Sequence, residues 1–241
     1  MKILALDSSG LVASVAVVEE NDGNQNLLAE YTVNYKKTHS QTLLPMLDEI
    51  VKMIELDLKS IDAIALAAGP GSFTGLRIGS ATAKGLGFAL EKPLIEIPTV
   101  DALAYNLYGT DRVICPLMDA RRNQVYTGIY EFCGGSLHVL EPQMAAGIEV
   151  IAGKLRALGR EVIFLGDGVP VFRKRLEEEL MAGETFSFAP AHLNKQRAGA
   201  VGALALQYLK EGKTVSAAEH RPVYLRLSQA ERERLEKEKN T

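Results

Sequence analysis

The chain contains no tryptophan, two cysteines and four histidines in 241 residues. Cys115 and Cys133 are too few for a disulfide framework and lack the CxxC or Cys/His spacing of a zinc site. Both read as free, core-filling thiols. His39, His138, His192 and His220 are scattered, none within helical spacing of another or of a paired carboxylate, and no GxSxG elbow occurs. They read as structural or surface groups, and a zinc peptidase has no ligand set. Long apolar runs are missing too: none reaches the roughly 18 residues of a membrane span, and the opening MKILALDSSG lacks the regions of a signal peptide. A cytoplasmic, membrane-free location is expected. Nor is there an excess of positive charge. With 27 basic and 30 acidic residues the net charge is −3, so counterion release would not draw the whole protein onto nucleic acid. The small basic clusters Lys36-Lys37 and Arg121-Arg122 read as solvated surface.

What is present is a globular composition, 47% apolar and 24% charged, and enough length for one large or two small domains. An apolar run at 2–7 ends in Asp7-Ser8-Ser9-Gly10, and 11–18 and 27–35 read as two further strands. A helix follows from about 40 to 54, then a buried strand at 63–68, a glycine-rich turn at 69–75, a helix to about 90 and a strand at 94–97. The second half repeats the order: strands near 113–118, 125–132 and 137–140, a helix at 148–158, a strand at 162–165 running into Gly166-Asp167-Gly168, and a helix at 169–180. Asp7 thus parallels Asp119, and Gly69-Pro70-Gly71 parallels Gly166-Asp167-Gly168. A βββαβα unit occurring twice predicts an α/β fold of two similar lobes around a cleft. The division expected is 1–109, 110–225 with a further helix near 196–210, and a charged tail at 226–241.

Two segments carry chemistry. A carboxylate ending a buried strand before small hydroxyl residues, as in Asp7, Ser8 and Ser9, either steers a metal-bound phosphate over free amides or caps a hairpin as an Asx turn. Gly69, Gly71 and Ser72 lie where a strand hands over to a helix, which favours an anion, or else they allow a tight turn and close packing. The segment is neither GxGxxG nor a P-loop. In the next helix Gly75, Gly79, Ala83 and Gly87 recur every fourth residue, a nearly bare face on which another backbone can lie. The helix at 40–54 carries a stripe of Leu43, Leu44, Leu47, Ile50, Val51 and Ile54, widened by Met46 and Met53. That excess predicts an apolar second face and a protein–protein interface.

As a set, ILALDSS at the start, HSQTLLPML at 39–47, GPGSFTGLRIGSATAKGLGFAL at 69–90, DARRNQVY at 119–126, GDG at 166–168 and PVYLR at 222–226 resemble the TsaB (YeaZ) family over nearly the whole chain. The resemblance implies the two-lobed fold of actin, Hsp70 chaperones and sugar kinases with a reduced second lobe. It implies a non-catalytic subunit of the machinery making threonylcarbamoyladenosine in tRNA, one that pairs with and activates the transferase TsaD. A small ATPase partner, TsaE, docks near the shared interface, tRNA is met only through the complex, and the subunit self-pairs as a homodimer in isolation. The implied interface is Leu43, Leu44, Leu47, Ile50, Ile54, Leu76, Gly79 and Ala83, with no metal and no required cofactor. Asp7, Ser8, Ser9, Gly69, Gly71 and Ser72 would form at most a weak or vestigial ATP cleft. The transferase family carries a His-x-x-x-His pair where this chain has Thr99 and Leu103. An ATP-dependent small-molecule kinase or ATPase using Asp7 and Asp119 is the alternative.

Overall fold

A computed structural model describes residues 1–35 and 38–226. Lys36-Lys37 and positions 227–241 of the charged tail lie outside the described residues. The first half runs β1 (Lys2–Asp7), β2 (Ala13–Asn21), β3 (Asn24–Val33), α1 (His39–Met53), β4 (Ala63–Gly69), α2 (Phe73–Leu90), β5 (Leu94–Pro98) and α3 (Thr99–Tyr105). The second runs β6 (Val113–Asp119), β7 (Gln124–Cys133), β8 (Ser136–Gly147), α4 (Ile148–Leu158), β9 (Val162–Leu165), α5 (Val169–Arg175), β10 (Phe186–Phe188) and α6 (Ala198–Lys210).

The two sheets have the same topology. One is ordered β3-β2-β1-β4-β5 and the other β8-β7-β6-β9-β10. In each, the first strand pairs antiparallel with the second and parallel with the fourth. The duplicated unit read from the sequence is therefore present as two like sheets. Continuous apolar runs suit β1 and β4, central strands sandwiched by helices on both faces, as parallel strands require. At the start of α2, Ser72 caps the helix by accepting the Gly75 N–H at 3.3 Å.

The last helix of each half crosses to the other. Val100, Leu103 and Ala104 of α3 pack with Ile114, Met118 and Ile163 of the second sheet, while Val201, Leu204 and Ala205 of α6 pack on Ile3, Ala5 and Val18 of the first. The expected 110–225 lobe is corrected accordingly: α6 belongs with the first sheet. Gly202 of α6 lets the helix lie on β2, since a Cβ there would come within 2.6 Å of Val18. The helix α3 carried no strong sequence signal, and Thr99 and Leu103 both lie in it: Thr99 accepts the Gly69 N–H at 3.2 Å, and Leu103 fills the core.

The predicted interface residues are corrected as well. Leu43, Leu47, Ile50 and Ala83 are buried in the core under the first sheet, Leu76 is buried too, and Ile54 is half-buried beside that core. The every-fourth-residue stripe of α2 faces inward: a Cβ at Gly79 would meet Ser8 Oγ at 2.4 Å, and one at Gly75 would meet the Ser8 carbonyl at 2.1 Å. Small residues here let α2 sit on its own lobe. Of the eight, Leu44 is exposed, at 54%.

After α6 the chain returns along α2 as a strap. Val215 pairs with Leu94 in both directions at 2.9 Å, the Val223 N–H donates to the Ala68 carbonyl at 2.7 Å, and Arg226 reaches across to the Ala120 carbonyl of the second lobe. Gly69, at φ +127°, leaves room for it, since a side chain there would strike the Val223 carbonyl.

Candidate functional site

The first-strand turn and the glycine turn converge, as the sequence suggested, but they close on each other. Asp7 is 1% exposed and accepts from the Ser9 N–H at 2.9 Å and the Ser9 hydroxyl at 2.6 Å. Burial raises its pKa from the ordinary 3.8 to about 6, against the opposing pull of those Ser9 bonds. The Ser8 hydroxyl donates to the Gly75 carbonyl at 2.9 Å, and the Ser72 N–H donates to the Ser9 carbonyl at 2.7 Å. Gly71 rests on that carbonyl so closely that a Cβ would meet it at 2.3 Å. A backbone amide that could cradle a phosphate is thus engaged by the chain itself, and Asp7 is sealed beneath the turn.

Between the lobes lies a cavity of about 410 Å³. Ser9, Gly71 and Ser72 line it from the first lobe, and Asp119, Arg121, Tyr126 and Asp167 from the second. Asp7, Ser8 and Gly69 are not among its lining residues. Asp167 accepts the Asp119 N–H at 3.2 Å, and burial raises its pKa. Arg121 binds Asp119 through its backbone N–H at 2.8 Å and its guanidinium at 3.0 Å. The cavity therefore offers two carboxylates, one arginine and two serines. Asp167 was read only as part of a turn, although its place mirrors Pro70 and marks the second half of the cleft.

A second surface lies on α1 and α2. Beneath it, Val51, Ile54, Ile78 and Leu86 are half-buried against the first-lobe core. On the solvent side α2 presents Thr74, Ala81, Gly85, Phe88 and Ala89, all exposed, and α1 presents the exposed Leu44. Phe88 is 62% exposed, and a Cβ added at Gly85 meets nothing within 4 Å. This face missed notice because the inward stripe has the same spacing and more glycine.

Two like sheets in this order, each flanked by helices and meeting at a cleft, define the class: an α/β protein of the actin-like ATPase fold. The (R)-2-hydroxyglutaryl-CoA dehydratase component A of Acidaminococcus fermentans shares that fold at a TM-score of 0.50 and 11% identity, over 88% of this chain and 100% of that one. YeaZ from Pseudomonas aeruginosa matches more fully, with a TM-score of 0.77 and 28% identity over 93% of this chain and 99% of that one. The family profile described as TsaD: tRNA N6-adenosine threonylcarbamoyltransferase matches residues 26–234. The tRNA threonylcarbamoyladenosine biosynthesis protein TsaB of Bacillus subtilis is 32% identical over 99% of this chain and all of its own length, and that of Escherichia coli 33% over 94% and 95%. The chain belongs to the TsaB family of tRNA threonylcarbamoyladenosine biosynthesis proteins. No helix among the described residues is long and apolar enough to cross a membrane.

Proposed function

We propose that the chain is a non-catalytic scaffold subunit of the threonylcarbamoyladenosine pathway, pairing with a TsaD-type transferase through the outward face of α1 and α2. The observation that carries this reading is that face: Leu44, Ala81, Gly85 and Phe88 form an exposed surface of small and apolar residues, on which a partner helix can pack closely. This reading keeps the two helices and takes their exposed residues as the contact set. In the transferase's absence the same face serves a homodimer, and a small ATPase of the TsaE kind joins the pair. The complex works in the cytoplasm and requires no cofactor of this chain. The engagement of Ser72 and Ser9 with each other, with Asp7 sealed below, supports at most weak nucleotide affinity.

Sedimentation velocity of the chain, alone and mixed with the TsaD-type protein of its own organism, tests the reading. A species with one copy of each should form, and Gly85→Glu, which places a charge in open space, should prevent it without lowering the melting temperature. A Gly85→Glu variant that pairs like the parent refutes the face, and two independently sedimenting parents refute the function.

The alternative is an ATP-dependent small-molecule kinase. The inter-lobe cavity with Asp119 and Asp167 favours it. It requires ATP turnover by the purified chain, and none with plausible acceptors removes it.

A further inference from the structure

The cations of this acidic protein are unevenly partnered. Many sit in ion pairs, such as Lys2 with Glu19, Arg112 with Glu161, Arg160 with Glu131, Arg197 with Glu30 and Lys213 with Glu211, while Lys59, Lys92, Arg156 and Lys195 are scattered cations that make none among the described residues. Along the strap and at its end the unpaired cations gather. Among the described residues, Arg77, Lys84, Arg122, Arg221 and Arg226 make no ion pair. The contacts of Arg77, Lys84, Arg221 and Arg226 are to neutral groups instead. Lys84 donates to the Ala218 and His220 carbonyls at 3.4 and 3.2 Å, Arg221 to carbonyls at 218–220, and Arg226 to the Ala120 carbonyl.

The same contacts place these four in one line. Lys84 and Arg221 meet at one end of the strap. Arg77 and Tyr224 meet seven residues earlier on α2, at 3.4 Å. Arg226 then delivers the line to the β6–β7 turn, where Arg121 and Arg122 are exposed. The seven residues from 220 to 226 span at most about 20 Å, a length over which a nucleic-acid strand presents several phosphates. The nearby acids are engaged: Glu96 with His220, Glu219 with Ser216, and Asp119 with Arg121. Midway, Phe73 and Tyr224 lie 4.9 Å apart with the Arg77 guanidinium 3.9 Å over the Phe73 ring, and Tyr224 is 39% exposed. Cations tracking a backbone beside an aromatic platform are what a single RNA strand or loop is held by.

We propose that this band is an RNA-phosphate surface, the contribution of this subunit to holding tRNA. The proposal rests on the function proposed above and goes beyond it, since that function assigns this chain no contact with tRNA. The band borders the face assigned to the transferase, because Arg77 and Lys84 flank Ala81 and Phe88 on α2. RNA bound there runs across both subunits. Five cations on a protein of net charge −3 make the surface effective next to a partner's own phosphate contacts and weak alone.

The test uses the reconstituted pair and an unmodified tRNA transcript. Arg77→Gln, Arg122→Gln and Arg221→Gln are combined in one variant, with thermal unfolding and sedimentation as controls for folding and pairing. Affinity is measured from about 50 to 200 mM salt. Each lost phosphate contact lowers the slope of log affinity against log salt by about 0.7 to 0.9, so the triple variant should lose about 2 to 3. At low salt it should bind at least roughly tenfold more weakly. An unchanged slope in a pair that still forms overturns the band and leaves the scaffold reading standing. A variant that folds but no longer pairs assigns the band to an acidic protein surface and also overturns it. Failure of the parent chains to pair overturns the scaffold reading, and this inference with it.

Discussion

Replacing Asp7 with asparagine should stabilise the protein at neutral pH and leave it unchanged in acid. Asp7 is fully buried, and its carboxyl titrates at about 6 instead of 3.8. At about 1.4 kcal/mol for each tenfold change in proton affinity, holding the carboxylate ionised inside the fold costs about 3 kcal/mol. The sign follows from the direction. A carboxyl whose folded pKa is raised favours the folded state fully below 3.8 and loses that contribution as pH climbs through about 6. Asparagine keeps an oxygen where the Ser9 N–H and hydroxyl donate, at 2.9 and 2.6 Å, and carries no charge to bury. Its amide hydrogens find poorer partners, so a net gain of about 1–3 kcal/mol is expected at pH 8. For a chain of this size that raises the melting temperature by about 2–4 °C per kcal/mol. Calorimetry of both proteins from pH 4 to 8 checks it: the curves should meet near pH 4 and part through pH 6. A variant that is less stable at every pH, or a gap independent of pH, refutes the account of a charge held against burial.

Two further perturbations read the packing. Gly79→Ala should lower stability by about 1–2 kcal/mol despite alanine's better helix propensity, because its Cβ meets Ser8 Oγ at 2.4 Å. Adding Ser8→Ala should restore most of the loss, and a double variant no better than the single one, by chemical denaturation, refutes the contact. Burial pushes the Cys115 thiol up to about 12 while Cys133 is exposed, so Ellman's reagent should titrate one thiol in the native protein and two in guanidinium.

The fold was largely legible because its signals are local and strong. The runs at 2–7 and 63–68 and the punctuation by Asp7 and the paired glycine turns placed most strand ends within a residue or two, but the edge strand β10 was missed and β8 runs on to Gly147, well past the expected 140. Order and turn position sufficed to expose the duplication. What stayed hidden depends on which side of an element faces what. Periodicity found bare and apolar stripes on α1 and α2 but assigned them outward, since glycine at 75 and 79 looks the same whether a partner or Ser8 lies against it. The short helix α3 follows Pro98 with no polar N-cap side chain and reads as a loop edge. The sequence grouped Asp7 with the cleft, yet its burial depends on Ser72 folding onto Ser9, a contact between residues more than sixty positions apart. The strap shows least of all: neither its cations nor its path has a period.

The crossing of α3 and α6 bears on how freely the cleft can work. Each half supplies a wall of the other's interior, so neither sheet has a complete hydrophobic lining from one continuous stretch of chain. Opening the cleft by a wide hinge would drag Val201 and Leu204 off the first sheet or Val100 and Leu103 off the second. The connection is laced, and the two halves are held to one mutual arrangement.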